Sequence, residues 1–321
     1  MRRFPSRLAV AGTAVALAVG LTTPTAAQAA AKPAVRAGAL KWATLGDSYT
    51  AGLIAAAGAL TEPEDGCART TGSYPELLRR ELGALIDLHN PSCSGATTLN
   101  VYADKQIPQG RPLPPLGTDP NAPYPAVPPQ IDAVDPDSDV VTVQVGGNDL
   151  GFAQILKDCI ELGAANLGLG TPCKDKYNAQ LPDRFAQLRN NYDTMLGALH
   201  QQAPKARVIT VGYPHLFPAD TTRCRYGDLL QFGTFTLGDL AWARTSILEP
   251  LNLAIEQVSS AQQDTYVDLY PGSAGHSVCD SDHWIDGLLS SVVPLQYALV
   301  HPNAEGQAFM AAQVESTVLG G

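Results

Sequence analysis

A hydroxyl, an amide and an imidazole are the groups from which acyl transfer draws its nucleophile, its oxyanion donor and its general base. Ser48 follows a glycine turn in Gly46-Asp47-Ser48, Asn148 sits in Gly146-Gly147-Asn148-Asp149, and His301 opens His301-Pro302-Asn303-Ala304-Glu305-Gly306. Taken singly these strings have plainer meanings. A serine after a glycine turn caps a helix, and Asn148 caps the helix that begins near Phe152. Placement separates the two meanings. The first two strings each terminate an apolar, β-branched run, and in an open parallel sheet ligands bind beyond the carboxyl ends of the strands. A third such run ends in Gly212-Tyr213-Pro214, which delivers more polar groups to the same rim.

The elements that must position these groups follow from hydrophobic pattern. Residues 40–46, 139–146 and 206–212 are predicted as buried strands, with weaker candidates at 85–89 and 265–269. Helical spacing covers Tyr74 to Leu82, Phe152 to Ile160, and the face Phe185, Leu188, Tyr192, Met195 and Leu199. Residues 241–263 carry the same spacing, and Pro250 should start, kink or interrupt that helix. Alternation of strands and helices implies a mostly parallel sheet covered on both faces, in one domain. The segment 107–130 holds nine prolines and is expected to be an extended surface loop, either a stiff spacer or one wall of a substrate cleft.

Residues 1–29 have the pattern of an export signal: Arg2, Arg3 and Arg7, an apolar run from Leu8 to Leu21, and small residues to a cleavage point near Ala29. That run is too short to span a bilayer, so no stable membrane insertion is expected. Residues 30–39 then form a short extension and 40–321 the domain. Removal of the signal leaves 18 basic against 31 acidic residues, a net of −13, which argues against nucleic-acid binding. All six cysteines (Cys67, Cys93, Cys159, Cys173, Cys224, Cys279) lie in the exported part, where an even count favours disulfides; arithmetic alone allows 15 pairings. No pair has the C-x2-4-C spacing of a structural zinc site, and neither metal nor cofactor is expected.

The strings also resemble, in order, the sequence blocks of the SGNH (GDSL-type) serine hydrolases, especially secreted actinobacterial lipases, phospholipases and esterases. Gly46-Asp47-Ser48-Tyr49-Thr50 is similar to the first block, Ser92-Cys93-Ser94-Gly95-Ala96-Thr97-Thr98 to the second, Gly146-Gly147-Asn148-Asp149-Leu150-Gly151-Phe152 to the third, and His301-Pro302-Asn303-Ala304-Glu305-Gly306-Gln307 to the last. Val211-Gly212-Tyr213-Pro214 is similar to a strand-end segment of the secreted members. The resemblance implies a three-layer α/β/α fold, flavodoxin-like, with about five central strands. It also implies Ser48 as nucleophile, His301 as base, and an oxyanion hole made of the Ser48 and Gly95 N–H groups and the Asn148 amide. The disulfides it implies are Cys67 with Cys93, Cys159 with Cys173, and Cys224 with Cys279.

One departure is plain. The family's usual carboxylate three residues before the histidine is Ala298 here, and the resemblance to some secreted members implies that the backbone carbonyl of Leu299 or Ala298 orients the ring instead. A Ser-His dyad with a lowered histidine pKa is then expected, working best at neutral or alkaline pH. Asp280-Ser281-Asp282-His283 supplies a competing D-x-x-H string, but His283 lacks the H-P-x-x-x-G context. The remaining histidines, His89, His200, His215 and His276, are expected at the surface or satisfied, with His215, which follows Gly212-Tyr213-Pro214, near enough to the rim to touch substrate. Tyr49, Leu53, Phe152, Trp284 and Ile285 are candidates to hold an acyl chain. The substrate is expected to be a small-molecule or lipid ester, with acetylated polysaccharide as the alternative and a non-catalytic binding module as a third possibility. A secreted, extracellular monomer is the expected form.

Overall fold

Five apolar runs pair into one sheet. The computed structural model describes residues 38–53, 61, 63–114 and 117–320. The expected export signal and most of the extension after it lie outside the described residues. The strands are β1 (Leu40–Gly46), β2 (Ile86–His89), β3 (Val140–Gln144), β4 (Arg207–Val211) and β5 (Thr265–Val267), in spatial order β2-β1-β3-β4-β5 and parallel throughout. Every residue of β3 is buried. A central strand covered on both faces must be apolar on both faces, which is why β3 does not alternate, whereas the edge strand β2 (Ile-Asp-Leu-His) does. The polar residues of β3 are paired: the Trp42 indole N–H donates to Thr142 Oγ1 at 3.0 Å, and Gln144 Nε2 donates to the Gly212 carbonyl at 2.7 Å.

The helices are α1 (Ser48–Ala51), α2 (Tyr74–Leu82), α3 (Thr98–Tyr102), α4 (Phe152–Ala165), α5 (Pro172–Tyr177), α6 (Leu181–Gln202), α7 (Leu237–Ala243), α8 (Glu249–Ala261) and α9 (Ala304–Leu319). α2 packs with α9, while α6 packs with both α3 and α8. The strand order reverses direction between β1 and β3, and right-handed crossovers on either side of that point put helices on opposite faces. The result is the expected α/β/α sandwich. Between α7 and α8 lies one π-helical turn, Arg244–Leu248, and Pro250 falls in the first turn of α8. Ala243, Arg244, Leu248 and Glu249 all keep right-handed helical backbone angles, so the helix runs on through Pro250 and the expected interruption is a local change of helix type.

One feature departs from the sequence pattern, and one open alternative is decided. An antiparallel hairpin, β6 (Leu289–Val292) and β7 (Leu295–Tyr297), stands outside the main sheet just before His301. The proline-rich segment is more than a spacer. It is pinned by bridges between Gln106 and Val127 and between Leu113 and Thr118, and it supplies one wall of the large cleft. Disulfides join Cys67 to Cys93, Cys159 to Cys173 and Cys224 to Cys279. Among the described residues no helix is long and apolar enough to cross a membrane.

Candidate active site

β1 ends where the chain must turn sharply past its neighbour. A Cβ on Gly46 would lie 2.6 Å from the Gln144 carbonyl oxygen, so no side chain fits there. The freed backbone groups of Gly46 are both taken by the Gln130 side chain, which donates to its carbonyl at 2.9 Å and accepts from its N–H at 2.8 Å. Asp47 then caps α1, accepting the Tyr49 N–H at 2.9 Å, and Ser48 is the first helical residue. The strand end, the cap and the helix start together hold the Ser48 hydroxyl above the sheet.

His301 arrives from the other end of the chain. Its Nε2 lies 2.7 Å from Ser48 Oγ, and its Nδ1 lies 3.0 Å from the Ala298 carbonyl and 2.9 Å from that of Leu299. Two carbonyls can only accept, so they fix the proton on Nδ1 and leave Nε2 free to accept from the serine O–H. The backbone makes this possible by an uncommon device. Leu299 and Val300 adopt φ values of +53° and +62°, a conformation that β-branched residues rarely enter. Surrounding bonds hold the pair in place. The Leu299 N–H donates to the Leu288 carbonyl at 3.1 Å, the Val300 N–H to that of Gly287 at 2.8 Å, and the Tyr49 hydroxyl to that of Val300 at 2.7 Å. Tyr49 thus ties the serine's helix directly to the histidine's loop, and its ring lies 5.0 Å from the imidazole.

Gly95 and Asn148 meet at the same rim. Gly95 has φ +81°, which only glycine takes without strain, in a turn anchored by the Cys67–Cys93 disulfide. Gln106 Nε2 donates to the adjacent Ser94 carbonyl at 2.7 Å. Asn148 Nδ2 donates to the Ala96 carbonyl at 2.9 Å, and Asp149 accepts the Thr98 N–H at 3.0 Å. Consecutive side chains of the third block therefore clamp the second block. Asp149, Gln106 and Tyr49 were not singled out for these roles by sequence. Asp149 lies within its own motif, whereas Gln106 and Tyr49 act across chain distances that no local pattern encodes.

Ser48, Gly95, Asn148 and His301 all line one cleft of about 1140 Å³, whose apolar lining includes Leu53, Phe152, Leu156, Ile160, Leu295 and Tyr297. Tyr49, Leu53 and Phe152 line it as expected; Trp284 and Ile285 do not. Trp284 stacks on His276 with ring centres 3.5 Å apart, and Ile285 is buried in a bridge to Pro302, because the chain there turns inward ahead of α9. His215 stacks on Tyr270 outside the cleft lining. The D-x-x-H string is broken up spatially: Asp280 pairs with Arg223, Asp282 with His276, and the exposed His283 with Asp286 downstream at 3.4 Å. The Asp286 carboxylate holds His283 above its usual pKa, as suits a surface cation. His200 pairs with Asp264, and His89 ends β2.

Electrostatics at the site favour a neutral imidazole. Withdrawal from solvent lowers the His301 pKa to about 4, against the upward pull of its bonds to the Leu299 and Ala298 carbonyls. Burial raises Asp149 above the usual carboxylate range, against the opposing bonds from Thr98. Among the described residues no cluster of three or more His, Cys, Asp or Glu side chains is arranged to hold a metal ion.

Known proteins share sequence and fold with this chain. Lipase 2 of Streptomyces coelicolor is 33% identical over 320 residues, covering 97% of this chain and 94% of that protein. An esterase of Streptomyces scabiei is 29% identical over 342 residues, covering 95% and 93%. Among solved structures, the extracellular lipase of Streptomyces rimosus superposes with a TM-score of 0.62 at 24% identity, over 87% of this chain and 99% of its own. Phospholipase A1 of Streptomyces albidoflavus shares the fold equally, with a TM-score of 0.62 at 22% identity and the same coverage. Residues 44–309 match the GDSL-like Lipase/Acylhydrolase family, and the chain belongs to that family of lipase and esterase hydrolases.

Proposed function

We propose that the protein is a secreted carboxylic ester hydrolase that works through an acyl-enzyme on Ser48. In the first half-reaction the Ser48 O–H proton passes to His301 Nε2 as Oγ attacks the ester carbonyl. The tetrahedral oxyanion is met by the Ser48 N–H, the Gly95 N–H and the Asn148 amide. Collapse breaks the bond to the alcohol, which leaves with the proton from His301. Water then attacks the acyl-enzyme by the same route, releasing the acid and restoring the serine. No carboxylate is needed. A histidine that returns to neutral in each half-reaction requires a fixed tautomer and ring orientation, and the carbonyls of Ala298 and Leu299 can supply both.

The observation that carries this reading is the 2.7 Å contact between Ser48 Oγ and a His301 Nε2 whose other nitrogen faces two acceptors. The apolar walls of the cleft favour an ester with an extended acyl chain. Export through removal of residues 1–29 is consistent with three disulfides and with the extracellular lipase that shares the fold. The test is labelling with an active-site fluorophosphonate followed by a series of p-nitrophenyl esters of increasing chain length. Labelling at Ser48 and a preference for longer acyl groups over acetate are expected. A chain that resists the label, or that cleaves acetate alone, overturns the assignment.

A further inference from the structure

We infer that Tyr213 is a positioning residue for the reaction: its buried phenol bridges Asp47 and the Gly147 N–H, and thereby sets the spacing between the nucleophile's turn and the Asn148 amide. This rests on the serine-esterase reading above and concerns how the two halves of that site keep their distance.

Tyr213 lies just beyond β4, with its side chain almost wholly buried. Its backbone is clamped by one residue of α8, since Asn252 accepts the Tyr213 N–H and donates to the Tyr213 carbonyl, both at 2.8 Å. The ring therefore projects from a fixed point toward the cleft, where it packs edge-on against Tyr49 at 5.1 Å between ring centres. At its tip the hydroxyl donates to Asp47 Oδ2 at 2.6 Å and accepts the Gly147 N–H at 3.1 Å. The direction of both bonds is set by the backbone. An N–H can only donate, so the phenol oxygen accepts from Gly147 and its own proton is left for the carboxyl of Asp47.

The consequence is geometric. The other oxygen of the same carboxyl accepts the Tyr49 N–H next to Ser48, and Gly147 is the residue before Asn148. A continuous chain of hydrogen bonds thus runs from the helix that carries the nucleophile to the turn that carries the oxyanion amide. The strands behind those turns, β1 and β3, are neighbours, yet their register ends at Gly46 and Gln144, and the last backbone bond between them runs from the Asp47 N–H to the Gln144 carbonyl at 3.0 Å. Beyond that point Tyr213 spans the gap. Burial pushes the Asp47 pKa up to about 7, opposed by the Tyr213 and Tyr49 bonds, so losing the phenol would also leave a buried carboxyl short of a partner.

Tyr213→Phe keeps the ring and deletes both bonds. Because small misplacements at a reacting centre are expensive, kcat per fluorophosphonate-titrated site should fall by about 10- to 100-fold, short of the loss from deleting a donor outright. KM should stay within about twofold, and affinity for a trifluoromethyl ketone transition-state mimic should fall in step with kcat/KM. A merely structural role would lower the melting temperature and the titratable fraction, and would leave kcat per titrated site and mimic affinity unchanged; that result overturns the inference. A rise in KM alone also overturns it.

Asp47→Asn is the second variant. The new amide must keep its oxygen toward the Tyr49 N–H and so present hydrogens to the phenol, whose oxygen then has to accept from that amide as well as from Gly147. This variant is expected to reproduce the kcat loss, and the double variant to be no worse than the more impaired single one. Additive losses overturn a shared chain of bonds. A parent protein that fails to label at Ser48 removes the esterase reading itself, whereas a labelled, active parent with a fully active Tyr213→Phe removes only this inference.

Discussion

His301 faces two backbone carbonyls where most such histidines face a carboxylate, and this decides how the site responds to pH. With no carboxylate bonded to it and its ring partly withdrawn from solvent, the imidazolium is disfavoured and the pKa falls to about 4 from an ordinary 6.5. In the proposed mechanism the base works only when neutral, so activity is present above that pKa and lost as pH falls through it. We expect kcat/KM to persist as pH drops through 6.5 and to decline with a midpoint near 4; initial rates between pH 3 and 8 check this, and a midpoint at or above 6.5 contradicts it. The same depressed pKa means that the unfolded chain takes up this proton first, so stability held above pH 6.5 is lost progressively toward 4. His301→Ala is expected to lower kcat by more than about 100-fold while His283→Ala leaves it unchanged. Asn148→Ala should cost about 10²- to 10³-fold in kcat with folding intact, read from steady-state rates and circular dichroism.

Among the elements, the strands were the most legible. Apolar runs at 40–46 and 139–146 cannot be satisfied except by burial on both faces, and β1 and β3 are the result. Tyr74 to Leu82 matched α2 residue for residue because Ser73, Pro75 and Gly83 mark its ends. The hairpin β6–β7 left no such mark: Leu-Ser-Ser-Val-Val-Pro-Leu-Gln-Tyr over 289–297 neither alternates nor carries a glycine turn, and its pairing depends on what it packs against. The left-handed pair Leu299-Val300 was equally illegible, since nothing in the two residue types predicts that conformation. His301 could be found by its motif and the Leu299 or Ala298 carbonyl named from the resemblance, while the backbone turn that brings both carbonyls to Nδ1 at once needed the fold. Disulfides give the element scale its stability test. Cys224–Cys279 closes a separation of 55 residues and Cys159–Cys173 one of 14. In the chain-entropy picture the longer loop gains about 1 kcal/mol more. Double Cys→Ala variants compared by urea denaturation should rank in that order.

For the molecule as a whole, the site sits where strand order reverses, between the ends of β1 and β3, so the proposed nucleophile and the amide come from adjacent strands and are close as soon as the sheet forms. The base comes from 253 residues away in sequence. Long-range closure of this kind is slow to form relative to local helices. On refolding, activity should therefore recover with near-ultraviolet circular dichroism and lag the far-ultraviolet helix signal; coincident recovery of all three would argue otherwise. That separation has a consequence for the cell that makes the enzyme. A chain emerging from the ribosome carries Ser48 early and His301 late, so under the proposed mechanism a form that stops short of His301 lacks its base and should be inert toward esters. Under that mechanism hydrolysis waits for the C-terminal part of the chain that brings His301, and the order of synthesis itself acts as the safety catch.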